Sequence, residues 1–148
     1  MFYGESTVAI DDKGRFAIPT SYRELLVSSC ANRLVVTYNP FERECLWLFP
    51  LPEWERIRDQ VMQLSSFVTA HRELQRKLVG AAARVELDSN GRMVLPHTAR
   101  QVAGLQRQAV LLGIGDKFEL WSESAQRLRL ELPINESEIS DDMRQLRF

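Results

Sequence analysis

Residues 11–24 read Asp-Asp-Lys-Gly-Arg-Phe-Ala-Ile-Pro-Thr-Ser-Tyr-Arg-Glu, and residues 88–101 read Asp-Ser-Asn-Gly-Arg-Met-Val-Leu-Pro-His-Thr-Ala-Arg-Gln. At a constant separation of 77 positions the stretches share Asp11/Asp88, Gly14/Gly91, Arg15/Arg92, Pro19/Pro96 and Arg23/Arg100. Phe16/Met93, Ala17/Val94, Ile18/Leu95, Ser21/Thr98 and Glu24/Gln101 differ conservatively. Agreement of this kind marks a tandem duplication, and the repeat organises every local assignment that follows.

Each copy spells out a local structure. Val8, Ile10, Phe16 and Ile18 form short alternating apolar stretches around Asp-x-x-Gly, so two strands joined by a tight turn are expected. Gly14 and Gly91 supply a backbone angle that a Cβ resists, while Asp11 and Asp88 can accept hydrogen bonds from turn amides. Pro19 and Pro96 end the second strand. Ser21-x-x-Glu24 and Thr98-x-x-Gln101 have capping-box spacing, which predicts a helix start satisfied by side chains.

The halves continue in parallel. Leu34–Tyr38 and Ala109–Leu112 are apolar runs of strand length, and Leu46–Phe49 and Lys117–Trp121 follow them after glycine or proline turns. Gly113 and Gly115 belong to such a turn in this reading; they lack the third glycine and following helix of a dinucleotide loop. Each half is thus a four-strand unit with one helix early and another after its last strand. A unit of about 50 residues is marginal alone, so both halves are expected to share one β-barrel-like core. The fold class is α+β, two tandem pseudo-symmetric β-α-β repeats.

A helical insert separates them. Pro52 opens a segment in which Trp54, Ile57, Val61 and Leu64 share one face. Ser65-Ser66 interrupts it, and Leu74, Leu78 and Ala81 continue a second stripe, with Arg72, Glu73, Arg76 and Lys77 away from it. Core packing and contact with a neighbouring subunit both fit such stripes. The expected division is a first repeat over 1–51, the insert over 52–83, a second repeat over 84–130 and an acidic, loosely ordered tail over 131–148.

Composition narrows the function. Of 148 residues, 45% are hydrophobic and 26% charged, as in an ordinary soluble domain. No apolar run approaches the roughly 20 residues of a membrane helix, and the first residues lack a basic-then-apolar leader, so a cytoplasmic location is expected. Cys30 and Cys45 are too few for a disulfide framework or a four-ligand zinc site, and read as plain buried thiols. The tail holds Glu131, Glu136, Glu138, Asp141 and Asp142 against Arg144 and Arg147, a net of −3, leaving 17 bases and 15 acids elsewhere. Arginine supplies sixteen of the nineteen bases. That bias suits bidentate contacts to phosphate or guanine, although codon composition produces it equally well.

Catalysis finds little support. His71 and His97 lie far apart and belong to no metal-spaced cluster, so neither a metal nor another cofactor is expected. Asp11 and Asp88 invite comparison with a proton-sharing carboxylate pair, but Asp12-Lys13 and Ser89-Asn90 follow them instead of a small hydroxyl-glycine pair, and turn closure explains them equally well. The repeated basic residues are more informative. Arg15 and Arg92 directly follow the turn glycine, and Lys13 and Asn90 precede it. Either the arginines pair with Asp11 and Asp88, or they face phosphates and base edges, where a bidentate guanine contact is worth about 1–3 kcal/mol. Arg23 and Arg100, in the first turns of their helices, are candidates for backbone contacts.

The doubled Asp-x-x-Gly-Arg-x-x-x-Pro block, the Leu51-Pro52-Glu53-Trp54 helix start and the Phe118-Glu119-Leu120-Trp121 strand resemble the MraZ family, within the AbrB/SpoVT-like swapped-hairpin group. The resemblance runs from Met1 to about Leu130. It implies a bacterial transcription factor that represses or tunes its own division and cell-wall operon and associates with the nucleoid. It also implies a homo-oligomeric ring binding short, G-containing direct repeats in double-stranded DNA, with neither membrane nor small-molecule substrate. The family's aspartate-to-arginine pattern maps onto Asp11 and Arg15 and onto Asp88 and Arg92, whereas Lys13 has no basic counterpart at Asn90. Antitoxins among the relatives imply a second possibility, a protein-interaction module.

Overall fold

The two copies of the repeated block meet each other directly. Strand β2 (Arg15–Ala17) pairs antiparallel with β6 (Arg92–Val94), placing Arg15 opposite Val94, Phe16 opposite Met93 and Ala17 opposite Arg92. Met93 is the duplication counterpart of Phe16, so a local twofold axis passes through the middle of this ribbon. Its ends are closed by a reciprocal pair of hydrogen bonds, Ile18 N–H to the Gly91 carbonyl and Leu95 N–H to the Gly14 carbonyl, 2.9 Å each. The structure is a computed structural model describing all 148 residues.

The other strands form one six-stranded antiparallel sheet. Its order is β1 (Phe2–Ala9), β7 (Gln108–Gly115), β8 (Lys117–Ser122), β4 (Cys45–Pro50), β3 (Arg33–Tyr38) and β5 (Ala83–Glu86). With β1 equated to β5, β7 to β3 and β8 to β4, this order reads the same from both edges. The protein is therefore α+β and internally duplicated. The expected tight turn between β1 and β2 forms, but the strands then part: β1 pairs with β7 of the other half, and β2 with β6. The sheet is also open, with β1 and β5 as edges, rather than a closed barrel. The ribbon lies against its inner face, where Phe16 and Met93 join Val8, Leu34, Val36, Leu46, Leu48, Leu111, Phe118 and Leu120 in the main core.

Each Pro-led helix starts two residues earlier than capping-box spacing requires. Helix α1 (Thr20–Cys30) follows Pro19 and α4 (His97–Val102) follows Pro96, and neither has a side-chain cap. Pro19 and Pro96 already hold φ near that of a helix with extended ψ, −53°/142° and −56°/135°, and so serve as N-caps themselves. Ser21 and Thr98 are thereby moved into the first turn.

The outer sheet face is covered differently in each half. Helix α2 (Leu51–Met62) lays Trp54 and Val61 over Val35 and Phe49. The chain returns through α3 (Thr69–Leu74), which continues into a π-helical segment, Gln75–Gly80, carrying buried Leu78. The Thr37 hydroxyl lies 2.8 Å from the Leu78 carbonyl and 3.0 Å from that of Lys77, serving acceptors at this irregular turn. Ala81 lies beyond the helix and is exposed, so the second stripe is shorter than its spacing suggests. Over the other half, α5 (Glu123–Glu131) is capped by the Ser122 hydroxyl and sets the Arg129 guanidinium 4.7 Å from the Trp121 ring centre. The tail makes a 3-10 turn at Glu136–Glu138 and a short helix, α6 (Asp141–Arg144), each capped by its own Asn135 or Ser140. Cys30 and Cys45 are buried, and burial pushes the Cys45 thiol up to about 12.

Gly113 is not a turn residue. It lies within β7 opposite Gly4, where a Cβ would come within 2.5 Å of the Tyr3 nitrogen. The constraint is backbone against backbone, so no rotamer change relieves it. Gly113→Ala is expected to cost about 1–3 kcal/mol, read as a lowered urea midpoint at unchanged slope. A wild-type midpoint would show that β1 yields freely.

Candidate nucleic-acid interface

The two turns are built identically. Gly14 N–H donates to the Asp11 carbonyl at 3.0 Å and Asp11 N–H to the Arg15 carbonyl at 3.0 Å; Gly91, Asp88 and Arg92 repeat this at 3.0 and 2.9 Å. Gly14 and Gly91 sit at φ +80° and +72°, the left-handed region a side chain disfavours. Asp11 Oδ1 accepts from the Lys13 and Arg15 amides at 2.9 Å each, and Asp88 Oδ1 from the Asn90 and Arg92 amides at 2.8 and 2.9 Å. Each carboxylate thus holds its own turn. The Arg15 amide, then its guanidinium, keeps Asp11 below the ordinary aspartate range, and the Arg92 amide does the same for Asp88. The hydrogen bonds make both acids turn fasteners.

The ribbon then fixes where the arginines point. Residues directly opposite on an antiparallel pair share a face, and alternate residues return to it. Phe16 and Met93 face the core, each 2% exposed, so Arg15, Ala17, Arg92 and Val94 form the outer face. Arg15 and Arg92 lie diagonally across it, a separation of about 7–8 Å. Lys13 and Asn90 sit exposed on the turns at its two ends. The ion-pair alternative is realised in only one repeat: Arg15 Nε donates to Asp11 Oδ2 at 2.7 Å, whereas the Arg92 guanidinium makes no hydrogen bond within the chain.

Arg23 and Arg100 are not exposed at the surface like these. Both are half-buried, and each braces the turn of the other repeat. Arg23 Nε donates to the Ile18 carbonyl at 3.1 Å while its side chain fills the space over Gly91. Arg100 Nε donates to the Leu105 carbonyl at 3.3 Å and its Nη1 to the Asp11 carbonyl at 3.0 Å. Only the remaining N–H groups of each guanidinium are left for another partner. Sequence spacing carried no sign of this cross-bracing, nor of Ala17 and Val94 sharing the arginine face, because both depend on which strand β2 pairs with.

An exposed, arginine-bearing two-stranded ribbon, built from two copies of one unit and seated on an α+β body, defines a duplicated surface-presenting module. The family described as "MraZ protein, putative antitoxin-like" matches the chain twice, over residues 1–77 and 78–138. A "Transcriptional regulator MraZ" of Xanthomonas oryzae pv. oryzae is 50% identical over 148 residues, covering all of both chains. Proteins of the same name from Stenotrophomonas maltophilia and Xylella fastidiosa are 50% and 47% identical, again over the full length of each. The chain belongs to the MraZ family.

The lowered carboxyls predict a pH dependence. Because both aspartates are depressed in the folded state, the stability they lend is complete above the unfolded aspartate value and is lost as pH falls through the depressed ones. Side-chain NMR titration should find both carboxyls below the ordinary range. A normal or raised value at either would mean its turn amides do not hold it.

Proposed function

We propose that the protein is a transcriptional regulator that binds double-stranded DNA through the outer face of the ribbon. The observation carrying this reading is the pair of arginines, Arg15 and Arg92, displayed on one exposed face by a strand pairing that leaves them no inward alternative. A two-stranded ribbon fits the major groove, and arginine there bridges the two acceptors of guanine. Lys13 and Asn90 extend the contact at the turns, and the N–H groups left on Arg23 and Arg100 reach phosphate. Asp11, Gly14 and Pro19, with Asp88, Gly91 and Pro96, hold the geometry. The names of the full-length relatives support the regulator.

Two arginines are too few for tight binding by one subunit, so the chain acts as a homo-oligomeric ring reading G-containing direct repeats, where linked sites raise affinity by about 10²–10⁴. Leu128, Leu130, Leu132 and Ile134 are exposed and suit a subunit contact. In this reading the division into repeats over 1–51 and 84–130, insert over 52–83 and tail over 131–148 stands, with the exchanged ribbon strands as the swapped hairpins. The target is the protein's own division and cell-wall operon, and its location is cytoplasmic and nucleoid-associated. No catalysis, cofactor, membrane or small-molecule substrate is involved.

DNA from upstream of the protein's own gene, against scrambled DNA across a salt series, tests this. Arg15→Ala with Arg92→Ala should weaken specific binding by at least about thirtyfold, each bidentate contact being worth about 1–3 kcal/mol. The dependence on salt should flatten by about one unit for each phosphate that the variant no longer neutralises. Equal, weak binding to every DNA would favour the protein-interaction module, the reading that the antitoxin-like family description supports.

A further inference from the structure

The ribbon is twofold in backbone but not in surface. Its outer face carries Val94, 53% exposed, opposite Arg15. At the duplication counterpart stands Ala17, half-buried beside a depression lined by Ala9, Asp11, Arg15, Phe16 and Arg92. Arg15 therefore has a protruding apolar neighbour across the ribbon, whereas Arg92 stands opposite only the short Ala17, beside a hollow that both arginines border. Arg15 is also held by Asp11, while Arg92 is unrestrained. An exposed valine on a three-residue strand contributes little to the core, whose inward positions are already filled by Phe16 and Met93.

We infer that Val94 is a specificity-determining residue that packs on the C5-methyl group of a thymine next to the base pair reached by Arg15. This rests on the DNA-binding reading given above. In the major groove the thymine methyl is the one apolar feature among donors and acceptors, and apolar side chains recognise it. Ala17 is too short to make the equivalent contact at the twofold-related position. The ribbon consequently has a direction along DNA: it reads a non-palindromic box one way round. A symmetric ribbon would favour inverted half-sites, whereas a directional one fits boxes repeated head to tail.

Replacing each thymine of the upstream repeats in turn by deoxyuridine removes only the methyl group. Wild type should lose about fourfold in affinity at one thymine of each box, the worth of one buried methyl. Val94→Ala should bind the unmodified box about fourfold more weakly and no longer distinguish thymine from deoxyuridine there. Insensitivity of the wild type to every substitution would overturn the inference, as would equal sensitivity of wild type and variant. Both results would leave the regulator intact, since preference for native over scrambled DNA would persist. Absence of that preference would overturn both.

Discussion

Two reciprocal backbone hydrogen bonds, Ile18 N–H to Gly91 and Leu95 N–H to Gly14, tie the repeats together at their most sensitive point. Each acceptor is the turn glycine itself. The carbonyl that accepts from the opposite repeat therefore belongs to the residue whose left-handed conformation makes its own turn. Turn geometry and ribbon register become one property. Were the ribbon to slip by one residue, Phe16 and Met93 would swing outward and the arginines would be driven into an apolar core. The buried pair on one side and the exposed charges on the other admit a single register.

Around this fixed centre the halves have diverged. One end of the sheet is roofed by α2 and the π-helical return, the other by α5 with Arg129 over Trp121. Arg129 also donates to Glu42 at 2.6 Å, fastening α5 to the loop between β3 and β4 of the opposite half. At the sheet's own centre Trp47 faces Glu119, and that carboxylate accepts from the indoles of both Trp47 and Trp121, at 2.9 and 3.1 Å. Symmetry survives in the backbone ladder, where any substitution meets partners on both sides. It has disappeared from the outer surfaces, where each half buries its apolar face under a different cover.

Most of the local structure was written in residue types. Apolar runs of strand length marked β3, β4, β7 and β8, and the aspartate–glycine spacing marked both turns, because those depend on a few neighbouring residues. The Trp54–Val61 face was equally legible, being a periodicity of one helix. What the residues by themselves left hidden was the set of features that depend on partners far away in the chain, although the family resemblance implied a swapped hairpin. The exchange of β1 and β2 between sheets, Gly113 pressed against Tyr3 and Arg23 over Gly91 all arise from long-range pairing. The capping-box spacing misled for a different reason: proline's own geometry made the cap that serine and threonine were expected to make. At the site, the identity of the key side chains was readable, but their common face was not.

The insert does more than cover one end of the sheet. By running from β4 to β5 it places both ribbon strands in a single polypeptide. A ribbon assembled from two separate chains exists only above its dissociation constant, and dilution takes it apart. Here ribbon formation is unimolecular. A cell holding very few copies of this protein still holds every one of them with its ribbon assembled, so abundance sets how many ribbons there are and not whether each is made.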